Sequence, residues 1–208
     1  LQQESDLDTV TALSGSGPHG AVVTTVALAR TDADRSTAQL LVAMPQMPAD
    51  VAFTSDSAFA YLPCSFSNDV LKINTATNPP TTQLEITVGD YPFGIAISPT
   101  ADRAYVANLL SRDVSVINTN TDQVVGTIPT ATETLGASIL NGKKLFHTST
   151  GRMSTNARIT CAGCHPEGEH DGVNWDFAQF GDGKRNTQNL PGVSATQPLH
   201  TIGDRDEI

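Results

Sequence analysis

The chain has 208 residues, of which 38% are apolar and 16% charged, with a formal net charge of −10. That length and apolar content allow a sizeable core in one large or two small domains and argue against disorder. The acidic balance argues against nucleic acid, whose phosphates are met by Lys and Arg, and the longest apolar run, Leu40–Met44, is far too short to span a bilayer.

The charge is uneven. Before Gly136 stand 14 acidic and 5 basic residues, and from Gly136 onward 8 and 7. The first part is rich in Val, Ile, Thr and Ala; the second holds Trp175, both Gly-Lys pairs and four of the five histidines. Two domains are therefore expected, 1–132 and 133–208.

In chain order, Ser14-Gly-Ser-Gly-Pro18 reads as a loop or linker, with His19 on its surface. Pro48 to Thr77 then aligns without gaps on Pro92 to Thr121, at an offset of 44 residues. Val51/Ile95, Tyr61/Tyr105, Ser67/Ser111, Asp69/Asp113, Ile73/Ile117 and Asn74/Asn118 match or nearly match. A weaker third copy lies 44 residues earlier, where Val26, Thr31, Leu40 and Val42 fall opposite Val70, Thr75, Leu84 and Ile86. Within the best unit, Gly94–Ser98, Arg103–Ala107, Asp113–Asn118 and Val124–Ile128 read as strands, separated by turn chemistry such as Pro99-Thr-Ala-Asp. Four strands in about 44 residues is the pattern of a propeller blade; the competing reading is a sandwich with coincidental similarity. Pro63 cannot donate to a ladder, so its strand end is expected to be irregular or at an edge. Cys64 is unpaired by counting and reads as a half-buried small apolar residue of its blade.

The segment Tyr91–Thr130 closely resembles the YVTN-type propeller repeat, with Tyr105-Val106-Ala107-Asn108 at the motif that names it. The preceding blade departs from it at Tyr61-Leu62-Pro63-Cys64. The resemblance covers about residues 24–130. It implies about two and a half propeller blades of four antiparallel strands each, and further blades are expected before Leu1.

Ala137–Phe146 reads as an amphipathic helix. Beyond it, Cys161-Ala-Gly-Cys-His165 is C-x-x-C-H, the attachment signature of c-type haem. Two cysteines three apart on one helical turn reach the two vinyl groups, and the next residue turns its imidazole to the iron. Structural zinc would need a second ligand pair, and a thioredoxin-like redox pair a βαβ setting; a chance match or a disulfide turn stays open.

The stretch Asn141–Gly172 resembles the opening of the bacterial di-haem cytochrome c peroxidase/MauG family, and Asp176–Ile208 looks like that family's R-N-T-x-x-L stretch and later G-D-R-D-E run. The resemblance covers about residues 136–208 and implies a small α-helical cytochrome c-like domain. It implies one covalent haem c on Cys161 and Cys164, with His165 as proximal iron ligand. His200 or Met153 are candidates for the sixth ligand, His170 and His147 weaker ones, and Arg185 and Asn186, with Thr187, for the haem rim or propionates. Asp204–Glu207 read as a solvated charge run or as part of an interface to a second lobe. This sequence departs from the family in holding a single C-x-x-C-H and in having Thr201 where members carry Trp; a second haem lobe is expected beyond Ile208.

The expected protein is a periplasmic or exported haem c redox protein, its leader upstream of Leu1, without a membrane span. It transfers electrons and in its full form carries out peroxide-dependent oxidation. The alternative is a non-enzymatic electron carrier or haem-bearing binding protein that docks through the propeller. A redox partner such as a small cytochrome or cupredoxin is implied, steered by the acidic blades.

Overall fold

The computed structural model describes residues 10–14, 21–25, 47–77, 81–100, 102–151, 153, 160–176 and 183–195. Its elements are β1 (Val10–Ser14), β2 (Ala21–Thr25), β3 (Ala52–Phe53), β4 (Phe59–Cys64), β5 (Asp69–Asn74), β6 (Thr81–Thr87), β7 (Pro92–Ile97), β8 (Arg103–Asn108), β9 (Asp113–Asn118), β10 (Gln123–Pro129), α1 (Ala137–His147), α2 (Cys161–Cys164), β11 (Asn174–Asp176) and β12 (Lys184–Asn186). The chain is mostly antiparallel sheet with few helices. It divides into two compact units, Leu1–Ile159 and Thr160–Ile208.

The first unit holds two four-stranded antiparallel sheets, β3-β4-β5-β6 and β7-β8-β9-β10, each a simple meander. The 44-residue offset survives in three dimensions. Strands β4 and β5 start and stop 44 residues before β8 and β9. The offset reappears in the backbone: Met47 and Tyr91 are left-handed at φ 59 and 58, Asn68 and Arg112 at φ 59 and 55. Non-glycine residues seldom adopt this region, so its recurrence at equivalent corners reflects one turn geometry used twice. The third copy expected around Val26–Val42 lies outside the described residues; near it the hairpin β1–β2 pairs Val10 with Thr25.

A shared core joins the two sheets. Tyr61, Val70 and Ile86 from the first pack on Ala104, Val106 and Ile117 from the second, each side chain at most 5% exposed. Burying an aliphatic or aromatic side chain of this size contributes roughly 1.5–3 kcal/mol. The opposite face of the first sheet buries Ala60, Leu62, Cys64, Leu71 and Ile73. Cys64 is thus fully buried rather than half-buried. Pro63 does not sit at an edge: β4 is interior, and its register against β5 runs unbroken through Pro63–Val70. The irregularity falls on the partner strand. β3 is two residues long, and pairing resumes as an isolated Pro48–Cys64 bridge.

Helix α1 forms where the amphipathic pattern places it, with Lys144 and His147 in its last turn, where positive charge suits the helix dipole. It lies within the first compact unit, past the shift in composition near residue 132. Three contacts tie it there. Lys144 Nζ meets Asp90 Oδ2 at 2.6 Å. The His147 ring stands edge-on to Tyr91, centroids 5.2 Å apart. Ser149 donates from both its backbone N–H and its hydroxyl to the Phe66 carbonyl, at 2.8 and 2.9 Å. Between β10 and α1, Arg112 clasps Glu133 through Nε at 2.7 Å and Nη2 at 3.2 Å.

The described residues of the second unit form the single turn α2, two 3-10 turns (Pro166–Gly168 and Val193–Ala195) and the ribbon β11–β12, with Trp175 paired to Arg185. The expected small helical domain is not seen among them. Among the described residues, no helix is long and apolar enough to cross a membrane.

Candidate functional site

The Cys161–His165 turn is built from its first residue inward. Thr160 caps α2: its hydroxyl accepts from the Gly163 N–H at 2.9 Å, satisfying one of the donors that a helix start leaves unpaired. The His165 N–H closes the turn on the Cys161 carbonyl at 2.8 Å. Pro166 then starts a 3-10 turn, and Glu167 and Gly168 are both left-handed, at φ 54 and 81. Two such residues in succession reverse the chain. The reversal brings the Glu169 carbonyl to 3.1 Å from His165 Nδ1. A carbonyl only accepts, so Nδ1 carries the proton, and in the neutral ring the Nε2 lone pair is left available to a metal.

The two cysteines are unlike. Cys161 is exposed and Cys164 half-buried, both as free thiols. The Cys164 thiol is pushed up to about 11, mainly by burial and then by the negative charges of Asp171 and Cys161. A thiol held so far above neutrality is a poor attacking thiolate. Among the described residues no group of three or more His, Cys, Asp and Glu side chains is placed to hold a metal ion.

The other candidates are scattered. Arg185 and Asn186 lie on β12, and the Leu190 N–H donates to the Gly168 carbonyl at 2.8 Å, tying the segment after β12 to the turn after His165. Asn186 and Thr187 line a cleft of about 240 Å3 with His170, Gly172 and Val173. Met153 belongs to the first unit and is 39% exposed. His147 sits on α1, its Nδ1 donating to the Lys143 carbonyl at 2.8 Å. His200, Asp204–Glu207 and His19 lie outside the described residues. Sequence reasoning passed over Thr160 and Glu169. The first had a signal, a threonine directly before a helical turn; the second acts through its backbone carbonyl, which no residue type announces.

No family model matches the chain, and no curated protein matches it. Among solved structures it is similar to hydrazine synthase of Kuenenia stuttgartiensis, at 27% identity over 63% of this chain and 38% of that one, TM-score 0.43. It is also similar to apo AztD from Citrobacter koseri, at 14% identity over 53% and 30%, TM-score 0.45. A functionally unknown protein from Desulfotomaculum acetoxidans shows 19% identity over 50% and 34%, TM-score 0.38. The chain spans about a third of the length of these proteins. With TM-scores this low, none of them assigns it to a family.

Proposed function

We propose that the chain is a haem c redox protein of the di-haem cytochrome c peroxidase/MauG kind, joined to YVTN-type propeller blades and working in the periplasm or outside the cell. The observation that carries this reading is the tautomer of His165. Its Nδ1–H is committed to the Glu169 carbonyl, as metal-bound histidines commit their second nitrogen, and it directly follows two thiols on one turn. Both cysteines are free, and Cys161 is exposed. The residues present therefore fit the group: Cys161 and Cys164 would hold it as thioethers, each S–H adding across a vinyl, and His165 would hold the iron through Nε2.

When bound, the haem supplies one-electron exchange between its ferric and ferrous states. The protein's part is to orient His165 through Glu169, to shield the Cys164 side of the turn, and to keep the turn closed through Thr160. One C-x-x-C-H stands in this sequence, which favours single-electron transfer for residues 1–208, in exchange with a small cytochrome or cupredoxin. Rapid peroxidase turnover belongs to a form with a second haem.

The test is the pyridine haemochrome spectrum of the chain matured in a host with a c-type haem assembly system. A c-type band that survives acid-acetone extraction is expected; loss of all colour would rule out covalent attachment. A ferric spectrum indifferent to peroxide is expected, and formation of a ferryl species with fast dye oxidation would replace electron transfer by peroxidase action.

A further inference from the structure

His170 stands five residues beyond His165, and its ring is set the opposite way round. The Gly172 N–H donates to His170 Nδ1 at 3.1 Å. That nitrogen is therefore the acceptor, and in the neutral ring the proton lies on Nε2. Where His165 has a lone pair at Nε2, His170 has an N–H. It is thus a donor, unsuited to binding iron at that atom unless its bond to Gly172 breaks.

His170 also lines a built space. His170 and Asn186 stand on two walls of the cleft of about 240 Å3, one wall from the loop 170–173 and the other from the end of β12. That volume is several times the share of one water molecule, about 30 Å3, and admits a short carboxylate arm. The loop follows directly on the attachment turn, since His170 is the next residue after Glu169, whose carbonyl stands 3.1 Å from His165 Nδ1. Asp171 itself accepts from the Val173 N–H at 2.9 Å and is not among the residues lining the cleft.

Resting on the haem reading above, we propose that this cleft receives a propionate carboxylate of the haem, held by the Nε2–H of His170 and the side-chain amide of Asn186. Both groups can donate to an oxygen acceptor, and the bond to Gly172 holds the His170 ring in the donating tautomer. His170 is in this account a positioning residue for the cofactor, not its sixth ligand.

Resonance Raman spectra of the haem-loaded full chain test this, because the propionate-bending band reports hydrogen bonds to that carboxylate directly. In His170→Ala and in Asn186→Ala the band is expected to move to lower wavenumber, with haem content and the spin-state marker bands unchanged. His170→Gln, which keeps a donor, is expected to return part of the shift. An unmoved band in both alanine variants overturns the proposal. So does a change from low to high spin in His170→Ala, which would make His170 an iron ligand. Failure of the unsubstituted chain to retain haem is a separate result: it overturns the haem reading, and this inference falls with it.

Discussion

The two sheets are built on one repeat, yet the same position does different work in each. Tyr61 is fully buried, and its hydroxyl donates to Asp122 at 3.0 Å. Tyr105, 44 residues on, is 40% exposed. Lys72 is buried against Asp122, which its Nζ meets at 2.8 Å to both oxygens, and lies over the Phe59 ring at 4.3 Å; the equivalent residue of the second sheet is Val116. The face that the first sheet turns toward the second is closed by a polar clamp reaching across the joint. The corresponding face of the second sheet exposes Tyr105. A repeat therefore specifies backbone geometry, and the neighbour decides what each side chain contributes.

The largest break in this comparison comes from truncating the paired tyrosines. Tyr61→Ala is expected to cost about 3–5 kcal/mol, the range for removing a buried aromatic side chain, whereas Tyr105→Ala stays within about 1 kcal/mol. Urea unfolding of the two variants measures both, and equal losses would mean that both faces are covered in solution. Next comes the clamp. Asp122→Ala leaves the Lys72 ammonium buried without its partner and is expected to cost about 3 kcal/mol, the low end for a broken buried pair. The low end applies because the Asp122 side chain keeps 20% exposure. Adding Lys72→Met to that variant should recover at least about 1 kcal/mol, since an apolar chain of similar volume needs no counter-charge.

This clamp also marks where the sequence stops being legible. The strands of the second sheet, their turns and the 44-residue period follow from alternation and turn residues, because those signals are local. The Lys72–Asp122 contact joins residues 50 apart, out of register with the repeat, and no local pattern points to it. The placing of α1 left no sequence signal for a related reason. Composition changes near residue 132, but α1 is held to the first unit by Lys144, His147 and Ser149, single contacts that leave no periodic trace. At the candidate site, C-x-x-C-H was readable as a string. The Glu169 carbonyl that orients His165, and the Gly172 N–H that sets His170 the other way, are backbone groups and were not.

A smaller contrast concerns the acids that open the third strand of each sheet, Asp69 in β5 and Asp113 in β9. Asp113 accepts the Asn108 amide at 2.6 Å. Its counterpart Asp69 has Cys64 where the repeat has Asn108, and its carboxyl is pushed up to about 6, first by burial, with Ser67 pulling the other way. A raised carboxyl binds its proton more tightly in the folded chain than in the unfolded one. Between about pH 4 and pH 6 the folded state then holds more protons, so stability falls as pH rises through that window. Unfolding midpoints against pH should show this decline in the unsubstituted chain and lose it in Asp69→Asn. Cys64→Asn, which restores the amide donor of the second sheet at nearly the same volume, should flatten it as well. A slope of the opposite sign would mean that Asp69 is held ionised by a partner instead.

The smallest effect is expected at the outer edge of the second sheet. Among the described residues, strand β10 is paired on one side only, and its seven residues are all exposed. Val125 falls in the break of register between Val124 and Gly126, so it faces no residue of β9. A bulge at an edge strand twists the strand away from further pairing, one of the ways proteins keep such edges from associating. A residue that lacks both a ladder partner and burial has little native contact to lose, and Val125→Lys is therefore expected to change stability by no more than about 0.5 kcal/mol. The same substitution adds a charge to an apolar edge, so any self-association seen by sedimentation should weaken. A stability loss well above 1 kcal/mol would mean that β10 is covered in the folded protein in solution, and the second sheet would then have a joint on its far side as tight as the one that Tyr61, Lys72 and Asp122 close.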